Sequence, residues 1–530
     1  MKHKIYSILF IAFAIVLNGC QEKQETSTSN SHNSNNSEVT LQHYKQTTDI
    51  PKGIITPDVV ETSIGTLHFF DGTPTEETVQ LVYDNLDRSR GVEAFLKGIQ
   101  GASIRELIEG PKVIGANVKF NDIMIIELLN SKGIFLTGNT STLYLAPVLD
   151  LKANGPMVVE APPGLLGGFN SAWFEYISDI GVFGPDKGKG GKFLILPPGY
   201  EGKIPSGYFV IKSPTYTVWS FMRLSVADGL EQATELAKDK VKVYPLSMAD
   251  NIPEMNFVNA TDKAFNTVHH NDFSFFEEIN KTIQEEPLEM LDPETRGLFA
   301  SIGIEKGKPF APDERMKKIL TDAVAIGNAT VRSTMWYPRV SGTAGTMEGI
   351  QIYPDTESAW LMAFLDKNVF FNGEDKHTMN SDARAFYYYG YTIVTPAMAV
   401  SIPGKGSDYA IAYVDANKKP MDGSKTYKVH LPPNVPVNNF WAFTIYDTQT
   451  RSQLQTDQPK PSVGSQTEGF KTNADGSMDV YFSPKAPEGF ENNWLQTIPG
   501  KSWFTLLRMY GPLEPWLDKT WRPSEIIEVK

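Results

Sequence analysis

The apolar positions of the chain fall into runs of three kinds. The first is a single apolar run, Ile5 to Leu17, preceded by Lys2 and Lys4. It is too short for a bilayer-spanning helix, which needs about 20 residues, and has the form of a secretory signal segment. The second kind has helical spacing. Thr73-Pro74-Thr75-Glu76 reads as a capping-box start with proline at the first helical position, and Val79, Val82, Leu86, Phe95 and Ile99 follow, predicting one or two helices between 74 and 109. Helical signals return from Asp228 to about Thr334. There Asp292 before Pro293 reads as an N-cap, and 313–331 places Met316, Ile319, Leu320, Ala323 and Ile326 on one packing face.

The third kind is short, rich in β-branched and aromatic residues and bounded by turn formers. Gly133 to Thr137, Thr142 to Leu149, Met157 to Ala161, Lys192 to Leu196, Gly207 to Lys212 and Tyr216 to Arg223 are predicted strands, with Asn154-Gly155 as a hairpin turn. A second set covers Tyr409 to Val414, Tyr427 to Leu431, Phe440 to Tyr446, Met478 to Phe482 and Phe504 to Tyr510. The fold class expected is mainly β with helical insertions, two β-sandwiches flanking a helical middle. The partition is a signal segment 1–19, a tether 20–45, an N-terminal sandwich with helices 46–225, a helical middle 226–345 and a C-terminal sandwich 346–530. The 42 Gly and 35 Pro in 530 residues suit so many turns.

Charge and cysteine usage narrow the setting. Lys and Arg number 49 against 62 Asp and Glu, a net charge of −13, and no basic run follows the leader, so nucleic acid is not an expected partner. The single cysteine, Cys20, excludes an internal disulfide. Leu17-Asn18-Gly19-Cys20 resembles a bacterial lipobox, in which cleavage before the cysteine precedes acylation of its thiol. The expectation is a lipid-anchored protein of the cell envelope, on the periplasmic side or at the outer membrane, held to its membrane through Cys20. Gln21 to Ser37 has no aliphatic or aromatic residue to bury and suits a spacer.

Candidate chemistry is sparse. A Gly-x-Ser-x-Gly elbow, a His-Glu-x-x-His helix, a Walker loop and a Rossmann fingerprint are all missing, so no cofactor is expected. The histidines are scattered, and the adjacent His269 and His270 would point apart on a helix, so no metal site is expected either. Gly181 to Gly202 surrounds Asp186, Lys187, Lys189, Lys192 and Tyr200 with glycine and proline. It reads as an anion cradle or as a long connection into a buried strand, with the connection favoured. Asp382 and Arg384 beside Phe386 to Tyr391 read as a ligand pocket or as a core helix capped by Asp382, with the core helix favoured. Arg223 and Arg508 sit among apolar neighbours on predicted strands, as structural ion pairs or as ligand contacts, with the ion pair favoured. The candidate ligand-binding set is therefore Asp186, Lys192, Tyr200, Arg223, Asp382, Arg384 and Arg508.

Several motifs in order carry a family resemblance. Ser63-Ile64-Gly65, Phe70-Asp71-Gly72-Thr73-Pro74, the Gly181 to Gly202 segment and Gly207-Tyr208 resemble the bacterial domain of unknown function 1254. Pro436-Val437-Asn438-Asn439-Phe440-Trp441, Thr444-Ile445-Tyr446-Asp447, Asn473-Ala474-Asp475-Gly476-Ser477, Asn493-Trp494-Leu495 and Leu507-Arg508-Met509-Tyr510-Gly511-Pro512 resemble its usual companion, domain 1214. The resemblance implies tandem jelly-roll-like sandwiches and self-association, with a trimer among the candidate stoichiometries, and transfers no catalytic residue. The leading expectation is an envelope protein that binds a small molecule or glycan, or assembles with itself. The alternative is an exported hydrolase or lyase acting on an envelope or environmental small molecule.

Overall fold

The computed structural model describes residues 48–529 apart from 341–346, 348, 355 and 373–377. Cys20, the leader and the tether lie outside the described residues. Two β-sandwiches pack against a layer of helices. The first sandwich has a six-stranded sheet in the order Asn256–Asn259, Asp122–Ile126, Thr142–Asp150, Thr217–Ser225, Leu166–Ser171, Tyr176–Ile180. Its second sheet runs Phe209–Lys212, Gly191–Leu196, Met157–Ala161, Lys242–Pro245. The strands at 242–245 and 256–259 come from the stretch expected to be helical, yet they complete both sheets. Asn154-Gly155 is not a hairpin. Gly155, at φ +69°, ends the one-turn helix Leu151–Asn154, and the chain crosses there from one sheet to the other.

The second sandwich faces a sheet ordered Ser407–Ala412, Ser502–Pro512, Val437–Asp447, Ser462–Gly464 against one ordered Trp494–Gln496, Met478–Ser483, Thr426–Leu431, Ile527–Val529. Rings such as Phe443 and Phe482, 6.0 Å apart, meet across its core.

The helical layer is built on one long helix, Glu76–Glu109, where the sequence allowed one or two. Its cap is Thr75, whose hydroxyl accepts from Thr78 N–H at 3.3 Å, while Pro74 belongs to the preceding short strand rather than to the first helical position. The helix packs on Glu314–Trp336 through two small-residue notches. A Cβ at Gly91 would lie 2.7 Å from Ala323 Cβ, and one at Gly327 would lie 2.5 Å from the Phe95 ring, so glycine at both positions sets the approach distance. The buried face of Glu314–Trp336 runs through Ile319, Leu320, Ala323, Val324, Gly327, Val331 and Met335, whereas the expected Ile326 is exposed. Among the described residues no helix is long and apolar enough to cross a membrane.

Strand alternation then decides what faces what. On Thr217–Ser225, Val218, Met222 and Leu224 enter the core between the two sheets of the first sandwich. Trp219 and Phe221 enter a second, larger core shared with the helices and the second sandwich. The six-stranded sheet is thus buried on both faces, and its outer face looks toward the C-terminal half.

Candidate functional site

Arg223 follows Trp219 and Phe221 on that outer face. Its cross-strand partners are Tyr144 on one side and Leu166 on the other. In the second sandwich Arg508 is flanked by Tyr409 and Ala442, again on the face turned away from the sandwich's own core. The two faces meet, and the two rows line one cavity of about 60 Å³. Phe135, Phe221, Met222, Ile393, Met398 and Leu506 supply most of its apolar wall.

Arg508 is buried. Its Nη2 donates to Thr137 O at 2.5 Å and to Tyr446 Oη at 2.6 Å, its guanidinium lies 5.5 Å from the Tyr409 ring centre, and Nε has no partner. Arg223 is half-buried, and among the described residues its one side-chain hydrogen bond, to Ser407 Oγ, is long at 3.4 Å. Neither arginine forms a salt bridge among the described residues. The ion pairs favoured from sequence are therefore absent at both positions, because the faces that carry them pack on each other instead of on water or on a carboxylate. Tyr510 Oη, close enough to feel the Arg508 charge, is also buried without a partner. The lining contains no Asp, Glu, His, Cys, Ser or Lys among the described residues. Such a site has donors in excess and few free acceptors.

One carboxyl group stands just behind the wall. Asp179 is buried, and both its oxygens lie 2.8 Å from the hydroxyl of Thr395, a lining residue. Burial pushes its pKa up to about 7, against the pull of the Thr395 hydroxyl and of the Arg223 charge.

The backbone around the cavity is strained. Thr137 has φ +38° and Ile393 has φ +53°, and they are the only β-branched residues with positive φ among the described residues. Both line the cavity. A β-branched residue in that region costs of the order of 1–3 kcal/mol and persists only where its surroundings over-determine it. At Thr137 they do: its N–H donates to Arg451 O at 2.9 Å, its hydroxyl to Gly390 O at 2.9 Å, and its carbonyl accepts from Arg508.

The other sequence candidates lie elsewhere. Asp186 is buried and accepts from the N–H groups of Gly181 (2.8 Å) and Gly190 (3.1 Å), so it pins its own loop rather than cradling an anion. Lys192 pairs with Glu160 at 2.9 Å on the four-stranded sheet. Tyr200 packs beside Val158, Leu194 and Tyr244. Asp382 is not the cap of Ser381–Gly390: Asn380 accepts from Ala383 N–H at 3.0 Å, and Asp382 pairs with Arg339 at 2.9 Å. Arg384 shares a separate small cavity of about 70 Å³ with Asp382, and the aromatic run from Phe386 onward is core. The sequence reading missed Tyr144, Tyr409 and Asp179. The signal was there in part: Trp219 and Phe221 are as apolar as Val218, Met222 and Leu224, and such a run marks a strand buried on both faces.

Two family models match the chain, "Protein of unknown function (DUF1254)" over residues 120–245 and "Protein of unknown function (DUF1214)" over residues 406–514. The chain carries a DUF1254 domain followed by a DUF1214 domain. Arg223 falls in the DUF1254 segment and Arg508 in the DUF1214 segment, so the cavity is built where the two meet. The VPA0106 protein from Vibrio parahaemolyticus, a crystal structure, aligns over 84% of this chain and 100% of its own at 19% identity and a TM-score of 0.50, a likeness of fold alone. A putative uncharacterized protein from Burkholderia cenocepacia aligns over 85% and 96%, with 12% identity and a TM-score of 0.38. No curated protein matches.

Proposed function

We propose that this chain is a lipid-anchored envelope protein that binds a small carboxylate-bearing molecule in the cavity between its DUF1254 and DUF1214 domains. The observation that carries the reading is the pair of guanidinium groups, Arg223 and Arg508, lining one cavity without a salt-bridged carboxylate among the described residues. An unpaired buried cation is costly, and an anion held by two charge-assisted hydrogen bonds relieves that cost. The strain at Thr137 and Ile393 supports it, since such strain gathers at ligand clamps.

Size and polarity narrow the ligand. A water needs about 10–15 Å³ on this scale, so about 60 Å³ suits a carboxylate with a short hydrocarbon tail better than a glycan. The tail would lie along Phe135, Phe221 and Leu506. The lining offers no nucleophile paired with a base among the described residues, which favours binding over the hydrolase or lyase alternative. Export and anchoring rest on the leader and the Leu17 to Cys20 motif.

The test is isothermal titration of acetate, butyrate and benzoate, with butylamine and maltose for comparison. The expected result is saturable binding of the carboxylates only, weakened at least about tenfold in Arg223→Gln, as loss of one charge-assisted hydrogen bond implies. Carboxylate binding that is absent, or unchanged in Arg223→Gln, removes the proposal.

A further inference from the structure

A second cluster of chemistry-bearing side chains lies away from the cavity, where the end of the long helix Glu76–Glu109 meets the helix Ser274–Glu285. Glu106 stands in the last turn of the first helix, Glu278 on the second, and His270 in the loop before it. One donor atom from each lies within 4.8 Å of the others. His270 Nδ1 already contacts Glu278 Oε1, and the Glu278 side chain is 94% buried with Oε2 lacking any partner. Glu106 has no salt bridge among the described residues, and it sits where the helix dipole is negative and a carboxylate is unwelcome. Its neighbours are committed elsewhere: Arg105 pairs with Glu285 at 2.8 Å and Glu109 with Lys112 at 2.7 Å.

We propose that Glu106, His270 and Glu278 form a binding site for a divalent first-row transition metal, with Zn²⁺ as its natural probe. Two carboxylates, one mostly buried and carrying an unpartnered oxygen, need a positive charge between them, and one imidazole with two carboxylates is a donor set for a borderline cation rather than for Ca²⁺ or Mg²⁺. Tetrahedral coordination with bonds of about 2.0 Å puts ligand atoms about 3.3 Å apart, so an inward turn of Glu106 together with a parting of the exposed His270 ring from Glu278 forms the site. The cation takes the place of the proton between Nδ1 and Oε1, and that proton passes to solvent. His270, whose side chain is 54% exposed, gives the ion a way in from solvent and leaves a fourth position for water. The bound metal clips the C-terminal end of one helix to the other. This inference is independent of the cavity reading, and its failure leaves that reading untouched.

The experiment uses the full chain, stripped with a chelator and titrated with Zn²⁺ by calorimetry, with melting temperature recorded in parallel. One Zn²⁺ per chain and a raised melting temperature are expected. Affinity should fall by more than about a hundredfold in both His270→Ala and Glu106→Gln, beyond the roughly 10–100-fold lost when an outer-shell partner is removed. Glu106 is only partly buried, so apo Glu106→Gln should melt close to the parent and is the primary test; His270→Ala takes the imidazole partner from the buried Glu278 and is expected to melt lower, and Glu278→Gln, in the buried half, is not relied on. Anomalous scattering at the zinc edge should place the ion among the three side chains. No saturable binding, parent-like affinity in both variants, an ion at another position, or equal competition by Ca²⁺ each overturns the proposal.

Discussion

Arg508 shows how one residue's role follows from its strand register. Directly across from Tyr409 and Ala442, it cannot leave the outer face of its sheet, and that face is closed off by the other half of the molecule. Asp179 is the residue whose behaviour is easiest to check. Its carboxyl group holds its proton up to about pH 7 in the folded chain and releases it near the ordinary value of 3.8 when unfolded. Between those values the folded state binds more protons, so its stability falls as pH rises from about 4 to 7. A shift of this size corresponds to about 4 kcal/mol at most. Asp179→Asn should flatten that part of the stability profile in denaturant titrations at a series of pH values. An unchanged slope would show that the group titrates normally. Above pH 7 the ionised Asp179 also draws on the Arg223 charge, so carboxylate affinity in the cavity should fall there in the parent protein and stay level in the variant.

At the scale of elements, the contact between Glu76–Glu109 and Glu314–Trp336 depends on volume. Gly91 faces Ala323 across a gap that has no room for a methyl group. Gly91→Val should destabilise the protein by about 1–3 kcal/mol, the usual cost of overpacking, and Ala323→Gly in the same chain should restore part of it. A double variant no more stable than Gly91→Val alone would mean that the helices move apart freely. These helices support the second large core, which is shared with the outer faces of both sandwiches, so the loss should also register as weaker carboxylate binding.

For the whole molecule, the proposed anchor and the self-association expected from sequence are checked together. Metabolic labelling with a radioactive fatty acid should mark the parent chain and not Cys20→Ser, and the variant should be released from the membrane fraction. Sedimentation velocity of that released form reads the subunit count. A chain that stays unlabelled while exported removes the anchor, and a monomer at micromolar concentration removes self-association. Exposed apolar residues near the described N-terminus, among them Ile54 and Phe70, are where contacts between copies would first be sought.

The parts that were legible in the sequence are those decided within a few residues. Asp292 before Pro293 is a cap because its carboxylate reaches the next free N–H groups, at 2.9 and 3.0 Å, whatever lies around it. The strands from 157 to 161 and from 426 to 431 follow from β-branched and aromatic content and from turn formers at their ends. Alternation even indicates that Arg223 and Arg508 point away from their neighbours of opposite parity. It carries no information about what stands opposite. That Asn154-Gly155 leads into another sheet, that Asp186 serves its own loop, and that two arginines 285 positions apart share a cavity are matters of packing between distant segments. Local propensity sets which way a side chain leaves the backbone; only the docking of one buried face on another decides whether it meets water, a partner charge or a ligand.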